Sequence, residues 1–207
     1  MFAPGAAKFV APPAALAVLA LLAEIGGFVG WGILPLAAAL AGLAGFFAIF
    51  FRDPERTPGP GVVSAADGRV SRVEREGARW RVAVFMNVTD VHVNRAPVAG
   101  AVAAMDDRGH AYRPAYRPDA LHNRQRRYEF DSEYGAIEVV QITGIVARRL
   151  VSFVRPGARL LKGERFGMIV LGSRVDVLFA ADRLAPCVAV GARVRAGESP
   201  IAREVVP

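Results

Sequence analysis

Val154-Arg-Pro-Gly-Ala-Arg-Leu-Leu-Lys-Gly-Glu164 and Val188-Ala-Val-Gly-Ala-Arg-Val-Arg-Ala-Gly-Glu198 are two copies of one phrase, Val-x-x-Gly-Ala-Arg-x-x-x-Gly-Glu, set 34 residues apart. Each copy reads as a strand, a tight glycine turn, a second strand and a second glycine turn. Upstream of them, Gly68–Val73, Trp80–Phe85, Val98–Met105, Ala136–Ile142 and Leu150–Val154 alternate in the same short-strand manner, and no long amphipathic helix interrupts. Residues 52–61, Arg-Asp-Pro-Glu-Arg-Thr-Pro-Gly-Pro-Gly, form a Pro/Gly-rich connector before this series. The part that follows the connector is therefore mainly β.

Paired copies of this kind resemble the flattened β-sandwich, or barrel-sandwich hybrid, of biotinyl and lipoyl domains. Between the copies lies Gly167-Met-Ile-Val-Leu-Gly-Ser-Arg-Val-Asp176, an apolar strand pattern broken by Gly172-Ser173. Glycine packs nothing there and serine brings a hydroxyl that needs a partner. By itself such a step is an ordinary turn or bulge. It also has a chemistry: on a bent peptide, Oγ of Ser173 can attack the Gly172 carbonyl and convert the amide to an ester. Elimination across Cα–Cβ of Ser173 then releases the upstream chain, and hydrolysis of the resulting imine leaves a pyruvoyl cap on the downstream one.

The wider segment, Arg165-Phe-Gly-Met-Ile-Val-Leu-Gly-Ser-Arg-Val-Asp176, resembles the cleavage segment of short-form, archaeal-type phosphatidylserine decarboxylase proenzymes. Four more stretches resemble motifs of that family in the same order. They are Phe51-Arg-Asp-Pro-Glu-Arg56, Val63-Ser-Ala-Ala-Asp-Gly-Arg69, Asp90-Val-His-Val-Asn-Arg-Ala-Pro-Val-Ala-Gly100 and Gln141-Ile-Thr-Gly-Ile-Val-Ala-Arg-Arg149. The resemblance implies autocatalytic cleavage at Gly172-Ser173 into a 1–172 β chain and a 173–207 α chain that remain together as a heterodimer. It implies a covalent pyruvoyl cofactor derived from Ser173. It also implies decarboxylation of phosphatidylserine to phosphatidylethanolamine and CO2 through a Schiff base.

Attack by Ser173 needs a base held in place. The chain has three histidines, His92, His110 and His122. His92 follows Asp90 by two residues, which on a strand places both on one face, and a neighbouring carboxylate raises imidazole basicity. Ser173 is accordingly expected as nucleophile, His92 as proton shuttle and Asp90 as its orienter. Arg95, Arg148 and Arg149 sit in family-matching motifs and are candidates for the lipid phosphate or the departing carboxylate. The family's usual Leu-Asp-Lys-Ala-Ser-Glu-x-Asn-Glu-Arg segment is replaced by Pro118-Asp-Ala-Leu-His-Asn-Arg-Gln-Arg-Arg127, with Asp119 and Asn123 as its remnants. The basic stretch Arg108–Arg127 reads as a loop that lies on lipid headgroups, and His122 as a bystander.

Two other readings of the same residues stay open. One is a membrane-tethered biotinyl/lipoyl-like carrier, for which Lys162 is the one lysine in a repeat turn. The other is a serine hydrolase using Ser173, His92 and Asp90, although no Gly-x-Ser-x-Gly elbow is present.

Composition bounds the rest. The 207 residues are 53% hydrophobic, and from Phe9 to Phe51 the only charged side chain is Glu24. That run is about twice the ~20 residues that cross a hydrocarbon core. Two helices, near 11–30 and 34–51, are expected as a membrane hairpin with Trp31 at the interface, making residues 1–51 a membrane segment and 52–207 the catalytic domain; a single tilted span, a shallow re-entrant hairpin and a buried core helix pair stay open. Lys8 before the run and Arg52 and Arg56 after it place both ends, and the catalytic domain, on the cytoplasmic side of the cell membrane. The net charge of +7 suits an anionic membrane rather than nucleic acid. A single cysteine, Cys187, excludes an intrachain disulfide, and no metal site is expected. A homo-oligomer is expected.

Overall fold

Val175, Val177 and Phe179 alternate with Arg174, Asp176 and Leu178, a period of two that makes residues 173–180 a strand. A computed structural model describes residues 1–27, 31–115, 118–145, 149–170 and 173–205, with Trp31, Pro118, Asp119 and Ser173 described by backbone alone. Two compact units result, Met1–Glu55 and Arg56–Pro207.

The first unit is a pair of helices, α1 (Ala7–Ile25) and α2 (Leu34–Phe50). Phe9 stacks on Phe51 at 4.8 Å and tilts against Phe47 at 6.0 Å. α1 begins earlier than the expected residue 11, at Ala7, and carries Pro12 and Pro13 inside it. It stops at Ile25 before Gly26-Gly27 rather than running to residue 30. Among the described residues α1 alone is long and apolar enough to cross a membrane. Its 19 residues span about 28 Å, whereas the 17 of α2 fall short. The chain ends of the unit are tied together: the Ala3 amide donates to the Phe51 carbonyl (2.8 Å) and the Asp53 amide to the Met1 carbonyl (2.9 Å). Those bonds keep residues 52–55 with the helices.

The second unit is mainly β. In chain order its strands are β1 (Val62–Val63), β2 (Gly68–Glu76), β3 (Arg79–Met86), β4 (Val93–Arg95), β5 (Gly100–Arg108), β6 (Gln125–Ser132) and β7 (Gly135–Thr143). They continue as β8 (Arg149–Ser152), β9 (Arg159–Leu160), β10 (Arg165–Val170), β11 (Ser173–Ala180), β12 (Leu184–Pro186), β13 (Arg193–Val194) and β14 (Pro200–Glu204). Among the described residues they form three sheets, ordered β13-β2-β3-β11-β7-β6-β5-β9, β4-β10-β8 and β1-β14-β12, with antiparallel neighbours throughout. Val82, Val84, Val175, Val177, Ile137, Val139, Phe130 and Phe166 pack into one core.

The two repeat copies meet at their second glycine turns. A Cβ on Gly197 would lie 3.3 Å from the Cα of Gly163 and 3.0 Å from Cδ of Arg95, and both glycines have positive φ. The Gly163 amide donates to the Ala96 carbonyl and the Gly197 amide to that of Ser64, matched bonds of 2.9 and 2.8 Å. Arg56 and Asp67, from two of the family-like motifs, pair at 2.8 Å beside this junction, and Asp67 also accepts the Ala196 amide.

Of the stretch 108–127, the described residues between 109 and 124 form a loop with a short turn at Pro118–His122, as expected, and only its two ends are strand. Its start closes β5 and its end opens β6, where Tyr128 and Phe130 alternate into the core. At the strand ends two of the arginines pair across the hairpin: Arg126 chelates Asp107 (2.5 and 2.7 Å) and Arg127 bonds Asp106 (2.7 Å). At residues 125–127, period-two burial of the following Tyr128 and Phe130, with cross-strand charge pairing, outweighs the local polarity and starts a strand.

Candidate active site

β10 and β11 belong to different sheets, so the chain must leave one and enter the other between Val170 and Ser173. Each side of that crossing is held independently. Upstream, β10 is flanked by β4 and β8, with Val170 opposite Arg149. Downstream, Ser173 stands opposite Met86 of β3 and Thr143 of β7, and the following residues are paired on both sides as far as Leu178. Gly172 lies outside the described residues.

One short segment touches both banks. β3 ends at Met86, the partner of Ser173, and the chain then turns through Asn87–Val91 to His92, whose carbonyl accepts the Ile169 amide at 3.3 Å. Residues 86–92 thus join the last turns of β10 to the first residue of β11. The turn is closed by Asp90, whose amide donates to the Asn87 carbonyl (2.9 Å) while its carboxylate accepts the Asn87 amide (2.8 Å).

His92 is buried, 1% exposed, and its Nδ1 lies 2.8 Å from the Asp90 main-chain carbonyl. A carbonyl only accepts, so Nδ1 carries the hydrogen, and Nε2 is the basic nitrogen of the neutral ring. Here the expectation is corrected in its detail. Asp90 and His92 are not on a strand, and β4 begins only at Val93. The orienting oxygen is Asp90's carbonyl, because its carboxylate is committed to Asn87 and lies 3.6 Å from Arg193.

A buried polar chain that the sequence reading passed over runs under the same place. The Tyr128 hydroxyl donates to Oε1 of Gln141 (3.2 Å), Nε2 of Gln141 donates to Oδ1 of Asn94 (2.7 Å), and Nδ2 of Asn94 reaches Sδ of Met86 at 3.8 Å. All three polar residues are fully buried, and burial pushes the Tyr128 hydroxyl above its ordinary pKa. This chain explains Gly167: a Cβ there would lie 2.7 Å from the Val151 carbonyl, 3.0 Å from Nε2 of Gln141 and 3.2 Å from the Tyr128 hydroxyl. The available signal was Gln141 and Asn94, uncharged polar side chains set within the family-like motifs.

A second buried cluster begins one residue after Ser173. Arg174 chelates Asp176 through Nε (2.7 Å) and Nη2 (2.9 Å), and Asp176 also accepts Nη1 of Arg81 (2.7 Å). Arg81 in turn chelates Glu76. Burial opposes its charge, yet the bonds to Glu76 and Asp176 hold its guanidinium protonated beyond the usual arginine range.

Thr143, the other partner of Ser173, is clamped from the basic segment. Its carbonyl accepts Nδ2 of Asn123 (2.6 Å), and its Oγ1 donates to the Arg124 carbonyl (3.0 Å). Asn123, fully buried, also exchanges two 2.7 Å bonds with the Arg113 main chain.

Of the expected arginines, Arg149 sits at the crossing, opposite Val170 and exposed. Arg148 lies outside the described residues. Arg95 is buried (3%) at the opposite end of β10, where Nη1 donates to the Gly163 carbonyl under the repeat junction. Lys162, the carrier lysine of one alternative, donates to the Gly61 carbonyl at 3.2 Å.

Residues 43–202 match the phosphatidylserine decarboxylase family. The chain belongs to that family. It is 42% identical over 202 residues to the phosphatidylserine decarboxylase proenzyme of Thermobifida fusca, covering 97% of this chain and 91% of the relative. It is 44% identical over 200 residues to the putative archaetidylserine decarboxylase proenzyme of Halobacterium salinarum, covering 95% of each. The proenzyme of Nitratidesulfovibrio vulgaris shares 46% over 173 residues, 78% of this chain and 79% of its own. As a member of the phosphatidylserine decarboxylase family the chain is an enzyme, and the crossing from β10 to β11 is where the family-like cleavage segment falls.

Proposed function

We propose that this chain is a membrane-associated proenzyme that cuts itself between Gly172 and Ser173 and then converts phosphatidylserine to phosphatidylethanolamine and CO2. The observation that carries the reading is the contact of residues 86–92 with both Ile169 and Ser173. It holds the main chain of His92 beside the crossing from β10 to β11, where the upstream and downstream strands are each anchored in a different sheet. The names of the relatives support the substrate and the proenzyme state.

In maturation, Nε2 of His92 takes the proton from Oγ of Ser173 as Oγ bonds to the Gly172 carbonyl carbon. The Gly172–Ser173 C–N bond then breaks, giving an ester with a free amine at residue 173. Loss of the Cα hydrogen and cleavage of Cβ–Oγ releases residues 1–172 as a carboxylate and leaves dehydroalanine. Its imine tautomer takes up water and loses ammonia, and a pyruvoyl group caps Arg174. No oxidant is consumed.

The site suits such a group. β11 enters the sheet at residue 173 with a partner on each side, so a chain end there stays fixed after the cut. When formed, the group supplies an electron-withdrawing keto carbonyl beside an amide, the sink that loss of CO2 from an amino acid requires. The chain's own contribution is to hold that carbonyl in β11, to keep water out with the buried Tyr128-Gln141-Asn94 chain, and to move a proton at Nε2 of His92. Arg149, exposed at the crossing, is retained as a headgroup contact.

After the cut, residues 173–207 still carry β11, β12, β13 and β14, which are laced into two sheets with upstream strands. The two fragments therefore remain one folded heterodimer. The basic residues Lys8, Arg52 and Arg56 flanking the apolar helices support placement of the catalytic unit on the cytoplasmic side.

The test is a denaturing gel of purified protein beside its Ser173→Ala variant, with CO2 release measured from both. Two fragments and activity from the first, with one intact inactive chain from the second, are expected. A Ser173→Ala chain that is cut normally overturns the reading.

A further inference from the structure

Arg174 is 1% exposed, and three of its features do not fit a merely structural arginine. It follows the cleavage serine directly, its Cα about 3.8 Å from that of residue 173, with its side chain on the sheet face that carries Asp176 and Ile142. Its guanidinium plane is fixed by the fork onto Asp176, which Arg81 holds from the other side. Its Nη1 is buried and makes no hydrogen bond. A buried donor left unmade is costly and rare, and a fixed one beside a reaction centre implies an acceptor that arrives later.

The surroundings narrow what that acceptor is. Arg174 shares its face of the sheet with Val140, Ile142 and Leu178, which pack with Ala120 of the Pro118–His122 turn. Buried beside this small apolar cluster and the Asp176–Arg81 pair, a charge-assisted bond is strong and water is a poor competitor. A guanidinium N–H selects an oxyanion. The headgroup of the proposed substrate presents two, the serine carboxylate and the phosphodiester. The carboxylate must depart as neutral CO2, so a cation fixed on it would stabilise the ground state more than the transition state and slow the reaction. The phosphodiester keeps its charge throughout and is the better match.

We propose that Nη1 of Arg174 donates to the phosphodiester of the lipid headgroup, anchoring the substrate one residue from the group that reacts with its amine. This rests on the self-cleaving decarboxylase reading, and it assigns Arg174 a binding role that the Asp176-Arg81-Glu76 chain serves by holding the guanidinium still.

The experiment uses wild-type protein in detergent micelles, first confirmed on a denaturing gel as two fragments, so that a failure of maturation is seen separately. The arginine side-chain nitrogens are labelled with 15N, and the Arg174 signals are assigned by their loss in Arg174→Lys. Glycerophosphoethanolamine, ethanolamine and free serine are then titrated. Saturable shifts of the Arg174 Nη signals with glycerophosphoethanolamine, and not with the two phosphate-free amines, are expected. In parallel, Arg174→Lys, which keeps a cation on Asp176, should raise the inhibition constant of glycerophosphoethanolamine about tenfold or more and that of ethanolamine less than twofold. Shifts with serine but not glycerophosphoethanolamine would assign Nη1 to the carboxylate and overturn the proposal, as would Nη signals that ignore all three. Should the lysine variant fail to fold, shifts confined to the phosphate compound among the wild-type guanidinium signals still decide it.

Discussion

Removing the charge of Asp176 while keeping its shape should be among the most damaging single changes in the β unit. Asp176 is fully buried and accepts three charge-assisted bonds, at 2.7 and 2.9 Å from Arg174 and 2.7 Å from Arg81. Arg81 keeps Glu76 and some access to water, but Arg174, 1% exposed, pairs with no second carboxylate among the described residues. Asp176→Asn therefore strands a guanidinium in the interior, and breaking a buried pair from one side costs about 3–5 kcal/mol. Against a typical domain stability of about 5–15 kcal/mol, that is a large fraction. The measurement is urea unfolding followed by tryptophan fluorescence, made in an uncut Ser173→Ala background so that unfolding involves one chain. The companion variant Arg174→Met/Asp176→Leu removes both charges and should return to within about 2 kcal/mol of the parent, since replacing a whole buried pair by apolar groups is often near neutral. A cost below about 1 kcal/mol for Asp176→Asn, or a double variant weaker than that single one, would refute the reasoning.

Gly167→Ala should cost about 1–3 kcal/mol and slow the appearance of the two fragments. Its Cβ would press on the Val151 carbonyl and Nε2 of Gln141, and a time course on denaturing gels reads the effect. His92→Ala should slow self-cleavage by about 10²–10⁴-fold, the usual worth of a positioned general base, with partial rescue by added imidazole; cleavage at the parental rate would remove His92 from the scheme. The Arg126 bonds hold the Asp107 carboxyl below the usual range, and Arg127 and Arg108 do the same for Asp106 in spite of the opposing effect of burial. Folded pKa values below the unfolded ones mean that this stability is complete above about pH 4 and drains away as pH falls further. Urea midpoints of the Asp107→Asn variant should accordingly depend less steeply on pH in that acid range than those of the parent.

The strands legible in the sequence were those with clean alternation, such as Trp80–Phe85 and Ala136–Ile142, which appear within β3 and β7. β6 was missed because Gln125-Arg-Arg127 looks solvated until Asp106 and Asp107 are seen across the hairpin. Pairing partners nearly twenty residues away carry no local signature. The helix pair was plain from the apolar run, but the end of α1 was set by Gly26-Gly27 rather than by hydropathy. At the site, the motif around His92 was readable and its geometry was not. The Asn87–Asp90 turn replaces the strand expected there, so a carbonyl stands where a carboxylate was pictured. Arg95 looked like a ligand contact because it lies in a family-like motif; the two repeat turns that bury it come together only in three dimensions. Gln141 and Arg174 were visible as polar residues inside apolar strands, a local inconsistency of the kind that marks functional or strained positions.

The most direct test of the account is intact mass spectrometry of the purified protein under denaturing conditions. Two masses are predicted, one for residues 1–172 and one for residues 173–207. The smaller should be lighter by one ammonia than a fragment beginning with free serine, and borohydride should reduce it. A single uncut polypeptide that still releases CO2 from phosphatidylserine, or a small fragment that begins with an intact serine amine, would contradict it.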